Sequence, residues 1–184
     1  DAIVVNTTTE EHYGTLQAAI DAANANDTIK LLDNITINAE DGKPETHAWV
    51  KDGQNVVIDL NGFAVDGAFF INGTATIKNG KNENKNLVSG VETQGNLTLE
   101  NMTIVSDRHA VRISGGKTTI ISGTYKTNGT AGTRHTVNAS GAETVLDIQG
   151  GVFYGAGYAN LDASGNCVMD QGCAAVTISG GEFY

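Results

Sequence analysis

Ile120-Ile121-Ser122-Gly123-Thr124-Tyr125 recurs as Ile148-Gln149-Gly150-Gly151-Val152-Phe153 and again as Ile178-Ser179-Gly180-Gly181-Glu182-Phe183. Aligned on Ile120, all three read aliphatic-x-x-Gly-x-aromatic, at intervals of 28 and then 30 residues. Self-similarity on that scale marks one supersecondary unit stacked on itself. Weaker copies run backwards through Leu99-x-x-Met102-x-Ile104, a partial Ile77-x-x-Gly80, Leu60-x-x-Phe63-x-Val65 and Leu32-x-x-Ile35-x-Ile37. The anchors therefore fall at 32, 60, 77, 99, 120, 148 and 178.

Intervals of 28, 17, 22, 21, 28 and 30 residues are too irregular for stacked helix pairs, whose packing fixes a period. A coil of short strands absorbs the variation, because extra residues bulge out at its corners. Apolar residues alternate with period two around each anchor, as in Val56-Val57-Ile58-Asp59-Leu60 and Ala175-Val176-Thr177-Ile178, which is the pattern of strands. Gly62, Asn79, Gly80, Asn101, Gly123, Gly150 and Gly180 follow these runs, where the chain must turn and where both residue types tolerate positive φ. The pattern specifies a parallel β-solenoid of about seven rungs. Ile58, Leu60, Ile77, Leu97, Leu99, Ile120, Ile148, Val176 and Ile178 are expected to point inward in ladders.

Thr15 is placed to cap a short helix in which Leu16, Ala19, Ile20 and Ala23 form one apolar stripe. Such a helix would cover the open core before the first rung. The run Tyr13-Gly14-Thr15-Leu16-Gln17-Ala18-Ala19-Ile20-Asp21-Ala22-Ala23, followed by Asp27-Thr28-Ile29-Lys30-Leu31-Leu32, resembles the N-terminal cap and first rung of pectin-lyase-like right-handed β-helix proteins. Similar openings recur in large surface proteins of microbes. The resemblance implies an all-β, right-handed parallel β-helix. Residues 1–184 would form a single domain, with 1–27 as N-terminal strand and capping helix and 28–184 as rungs.

The 184 residues include 23 Gly, one Pro and 6% aromatics, and carry a formal net charge of −10. A pI near 4.6 argues against nucleic acid or an anionic membrane surface as partner, since phosphate binding needs clustered Lys and Arg. No apolar stretch is long enough to insert into a membrane. Asn6, Asn26, Asn34, Asn72, Asn96, Asn101, Asn128 and Asn138 each open an Asn-x-Ser/Thr triplet. Chance would give about three such triplets from this composition. Either the solenoid's turns and faces favour both residue types, or the chain is a glycosylated, extracellular or cell-surface protein. Cys167 and Cys173 lie six positions apart in a Gly-rich loop with no histidine nearby. A local disulfide is expected of them, with two buried thiols or metal chemistry as the alternatives.

Lyases and hydrolases on this fold need carboxylates converging from neighbouring rungs, to hold Ca²⁺ or to act as an acid/base pair. Asp59, Asp66, Glu100, Asp107 and Asp147 are scattered instead. The best polar constellation is Asp107-Arg108-His109 with Arg112, which the next rung's Arg134-His135 can approach; it could bind an acidic sugar or be a solvated corner. Inserts at about 38–54, 126–143 and 154–172 follow equivalent anchors and should project on one side. They carry His47, Trp49, Arg134, His135, Tyr154 and Tyr158, the binding candidates for a glycan or surface-protein ligand, unless each loop merely packs on its own rung. Ile3-Val4-Val5 at one end, and Val176, Ile178, Phe183 and Tyr184 at the other, offer apolar strand edges for end-to-end self-association. The expected class is a non-catalytic extracellular structural or adhesive protein, such as a subunit that polymerises head to tail into a surface filament, with no cofactor and no metal. The alternative is a polysaccharide lyase or hydrolase of the pectin-lyase-like group.

Overall fold

A computed structural model describes residues 1–129, 133–156 and 165–184. The chain opens with Val4–Asn6, which pairs antiparallel with both Glu11–Tyr13 and Asp27–Leu31. Ile3-Val4-Val5 is therefore not a free edge, contrary to expectation: the chain folds back on itself and gives that strand a partner on each side. The helix Leu16–Ala22 follows, with Thr15 accepting the Ala18 N–H through its side chain and Leu16, Ala19 and Ile20 buried. The apolar stripe and the cap both fall where the sequence places them.

From Asp27 onward the chain lays one strand on each of three faces in turn, and every pairing between successive coils is parallel. The first two faces are arms of one 14-stranded sheet, joined where Thr74–Asn84 and Asn96–Ser106 run through the bend between them. The third is a separate six-stranded sheet of Ala48–Val50, Phe69–Ile71, Val91–Thr93, Val111–Ile113, Val137–Ser140 and Val168–Gln171. This is an all-β solenoid arrangement.

Ile29, Ile58, Ile77, Leu99, Ile120, Ile148 and Ile178 share one register position on the first arm. The last five anchors thus stand as read, and the first two shift to 29 and 58. Leu32 is 39% exposed, whereas Leu31 is fully buried. The cause lies in the bend. Ile77, Leu99, Ile120 and Ile148 each precede the inward residue of the second arm by five positions, but Ile29 and Ile58 precede Ile35 and Val65 by six and seven. The x-x-Gly spacing therefore misaligns the early coils.

At this bend Asn79 and Asn101 adopt left-handed conformations, with φ of 60° and 50°. Asn101 Nδ2 donates to Asn79 Oδ1 at 3.1 Å, and Asn79 Nδ2 donates to Asp59 Oδ1 at 3.2 Å, so each turn is tied to the one beneath. One coil on, Gly123 takes over at φ 127°, where a Cβ would stand 2.2 Å from the Met102 carbonyl oxygen. The second arm's inward column continues Ile104, Tyr125, Phe153 and Phe183, with ring centroids 5.0 and 4.9 Å apart in stacked geometry. Each buried aliphatic or aromatic side chain in these ladders contributes about 1.5–3 kcal/mol.

Two further expectations change. Cys167 and Cys173 are free thiols, not a disulfide. The extended strand Val168–Gln171 stands between them and spans about 10 Å, beyond the ~7 Å Cα separation that a disulfide can bridge. Cys167 Sγ instead donates to the Phe153 and Tyr184 carbonyls, and the Cys173 N–H is held by Asp170. Val176 is only half-buried and Ile178 is 50% exposed, because no coil among the described residues covers them.

Candidate functional site

The long inserts all leave the coil at one corner, between the second arm and the six-stranded sheet. Segments 37–47, 67–68, 85–90, 107–110, 128–136 and 155–167 make that passage in successive coils, the last two only partly described. Segment 37–47 folds back over the outer face of the six-stranded sheet. That face presents Trp49, Phe70, Glu92, Arg112, Asn138 and Met169 in one register column.

Between the folded-back segment and the sheet runs an open groove of about 290 Å³, lined by Gly42, Pro44, Phe70, Glu92, Gln94, Arg112 and Ser114. Arg112 Nη1 lies 3.5 Å from Glu92 Oε1 one coil away. The rim is fastened by an ion pair between Arg108 and Asp41. The Arg108 hydrogen bond holds the Asp41 carboxyl below its ordinary range, and the same bond raises the guanidinium. The groove thus offers an apolar floor at Phe70, a carboxylate, a guanidinium, an amide and a hydroxyl, a combination suited to a polyhydroxylated ligand. A second hollow of about 380 Å³ lies beneath the capping helix, against Leu16, Ile35, Ile37 and His47.

Of the described loop candidates only Trp49 lies on this face, joined there by Arg112 of the polar constellation and by the sequon Asn138. Its indole N–H donates to Asn72 Oδ1 at 2.7 Å, Gln17 Oε1 takes its backbone N–H, and Lys51 Nζ sits 5.5 Å above the ring. It is pinned to the cap. His47 is buried edge-on to Phe70 at 5.8 Å, with Nδ1 2.9 Å from the Lys43 carbonyl. Tyr154 belongs to the second arm and stacks on Tyr184 at 5.4 Å. Arg134 buries its Nε without a partner among the described residues. Tyr158 lies outside the described residues.

The constellation of Asp107, Arg108, His109, Arg112, Arg134 and His135 separates into three parts. Arg108 turns to Asp41, Arg112 turns to Glu92, and the two histidines stack in the corner with centroids 6.0 Å apart. The His135 N–H reaches His109 Nδ1 at 3.1 Å, and one coil on the Asn166 N–H reaches His135 Nδ1 at 2.9 Å. The His135 carbonyl oxygen also lies 2.8 Å from His109 Nδ1, so that nitrogen meets both the N–H and the C=O of His135, while the Asn166 N–H makes His135 Nδ1 an acceptor. Burial pushes His109 down to about 4, against the opposing hydrogen bond to the His135 backbone and with the charges of His135, Arg108 and Arg134 adding to the fall, and burial lowers His135 as well. Both rings tie corner backbone together from one coil to the next.

Sequence reasoning passed over Phe70, Glu92, Gln94 and Asp41. One signal was present: Phe69-Phe70-Ile71 is apolar three times over, so its middle residue had to face outward under some cover. The sequons divide clearly. Asn6 is buried against Asp27, and Asn72 and Asn138 are partly covered, whereas Asn26, Asn34, Asn96, Asn101 and Asn128 are exposed. Among the described residues no group of three or more His, Cys, Asp or Glu is placed to hold a metal ion, and no helix is long and apolar enough to cross a membrane. No family model, no curated protein and no solved structure matches the chain.

Proposed function

We propose that this chain is a non-catalytic, extracellular structural or adhesive module that binds a glycan in the groove between segment 37–47 and the six-stranded sheet. The observation that carries the reading is the convergence there of Phe70, Glu92, Gln94, Arg112 and Ser114 from three successive coils under one folded-back segment. A sugar can lay its apolar face on the floor while its hydroxyls pair with the carboxylate, amide and guanidinium. The coil is right-handed in this proposal, because parallel strands joined by crossovers take that hand in about 98% of cases. Of the exposed sequons, Asn34 and Asn128, which lie outside the strands of the first arm, carry glycans, which suits an extracellular surface. In the same reading the last strand edges, with Ile178, Phe183 and Tyr184 exposed, meet the Glu11–Tyr13 edge of a following molecule.

Calorimetric titration against soluble neutral and uronate polysaccharides tests the groove. Saturable binding is expected, lost in Arg112→Ala and in Glu92→Ala while thermal unfolding stays unchanged. Binding indifferent to both substitutions, or none at all, removes the glycan reading and leaves a protein ligand. Release of reducing or unsaturated ends that depends on Arg112 would establish the polysaccharide lyase or hydrolase alternative instead.

A further inference from the structure

The outer face of the first arm carries a column that the groove does not use. In register it runs Val5, Lys30, Asp59, Lys78 and Glu100. Ile121 continues it, held by its N–H to the Leu99 carbonyl at 2.9 Å and 38% exposed. A second column, Thr28, Val57, Thr76, Thr98 and Thr119, stands beside it. Among the described residues Lys30, Lys78 and Glu100 enter no ion pair, while Asp59 accepts from the Asn61 N–H and from Asn79.

Between His12 at one end and Gln149 at the other, these six positions read apolar, plus, minus, plus, minus, apolar. Read in reverse, every charge changes sign, the two apolar residues exchange, and His12 exchanges with Gln149. Consider a two-fold axis that lies along the strand direction and passes between the rungs of Asp59 and Lys78. It lays this face on that of a second copy, with the stacking axis reversed and the strand direction kept. Lys30 then meets Glu100 of the second copy, Asp59 meets Lys78, Val5 meets Ile121, and the threonine columns face each other. Rungs repeat about every 4.8 Å in both copies, so a match at one pair matches all of them. The arrangement that keeps the two stacking axes parallel sets Lys30 against Lys30 and is repulsive.

We propose that the outer face of the first arm is an isologous self-association surface, on which a second copy of this chain docks antiparallel through the Lys30–Asp59–Lys78–Glu100 column. Five rungs by one strand length give about 400 Å² per copy, which places the contact among weak, salt-sensitive associations.

Sedimentation of the unglycosylated protein over a concentration series is the test. A salt-sensitive dimerisation is expected at low salt, told apart from end-to-end assembly by weakening at least about tenfold at 0.5 M salt. Lys30→Glu places two carboxylate pairs in contact and should abolish it. Adding Glu100→Lys to Lys30→Glu restores every contact between copies, although the column within each copy then reads minus, minus, plus, plus. Recovery of the dimer in that double variant supports the proposal. If the charges serve only their neighbours within one molecule, the double variant stays monomeric and melts lower than the parent, and the proposal fails. It also fails if the parent chain is monomeric at every concentration, or if its dimer is unmoved by Lys30→Glu.

Discussion

The first arm and the corner between the second arm and the six-stranded sheet are built from the same coils, yet they obey opposite rules. On the first arm seven strands stack in register, and one aliphatic column runs from Ile29 to Ile178. At the corner the connecting segments range from the two residues Gly67-Ala68 to the long inserts that follow Thr36, Thr127 and Tyr154. Ladder pairing couples each strand to two neighbours, so one misplaced residue is felt across coils. A corner segment answers mainly to its own closure entropy, which grows slowly with length. Variation in length therefore collects at the corner, where the proposed groove lies.

The sharpest way to break this contrast is to put one change in each region. Leu99→Asp places a charge in the centre of the inward column, where Leu99 is fully buried between Ile77 and Ile120. An unpaired buried carboxylate costs several kcal/mol, enough to prevent folding of a domain of ordinary stability. Two glycines inserted between Asn86 and Leu87, in the exposed corner segment, should cost about 1 kcal/mol or less. Circular dichroism melts of the two variants make the comparison. A folded Leu99→Asp protein, or a strongly destabilised insertion variant, would show that register is not held by the column.

A smaller effect separates the corner's interior from its surface. His109 and His135 are buried in the corner, and burial lowers the ring of His109 to about 4 where an ordinary histidine takes up its proton near 6.5. The unfolded chain therefore binds that proton first as the pH falls. Stability is full above about pH 7 and declines as the pH drops towards 4, by about 2 kcal/mol after allowance for the partly solvated ring. His135 shifts in the same direction and adds to the slope. Urea unfolding at pH 7.5 and pH 4.5 measures the loss. His109→Asn, which keeps an acceptor for the His135 N–H but cannot be protonated, should flatten most of it; an unchanged slope would place the acid sensitivity elsewhere.

How much of this was legible follows the same division. The last five anchors could be read because their bends hold a constant five-residue spacing, so that periodicity in the sequence is periodicity in space. The first two slipped because extra residues in the bend are invisible to a pattern anchored on that spacing. Cys167 and Cys173 looked close enough to pair, since separation along the chain says nothing about an extended strand between them. His47 and His135 sat in inserts, where the sequence left open whether they meet a ligand or pack on their own rung, and both side chains are buried. The charge column of Val5, Lys30, Asp59, Lys78, Glu100 and Ile121 joins residues spread over more than a hundred positions, and its first member arrives by an antiparallel strand. Only the register brings it together.

The smallest expected effect tests whether the corner is coupled to the stack at all. Asp41 belongs to the segment that roofs the groove, and its ion pair with Arg108 ties that segment to the corner segment 107–110, three coils along. The Asp41 side chain is 53% exposed and that of Arg108 only 20%, so solvent screens the pair from one side. Such pairs contribute between about 0 and 1 kcal/mol. Asp41→Ala should therefore leave the global unfolding midpoint almost where it is. Its consequence is local. The hydrogen bonds from Thr46 N–H to the Lys43 carbonyl and from His47 N–H to the Pro44 carbonyl hold the short turn that follows Lys43, and their amide exchange should accelerate several-fold once the tie is cut. Amides of Thr98 and Leu99 in the ladder should not change. Acceleration confined to the roof would mean that the groove can open without disturbing the coils beneath it. Equal acceleration in roof and ladder would mean that corner and stack unfold as one unit, and the division drawn between them would be wrong.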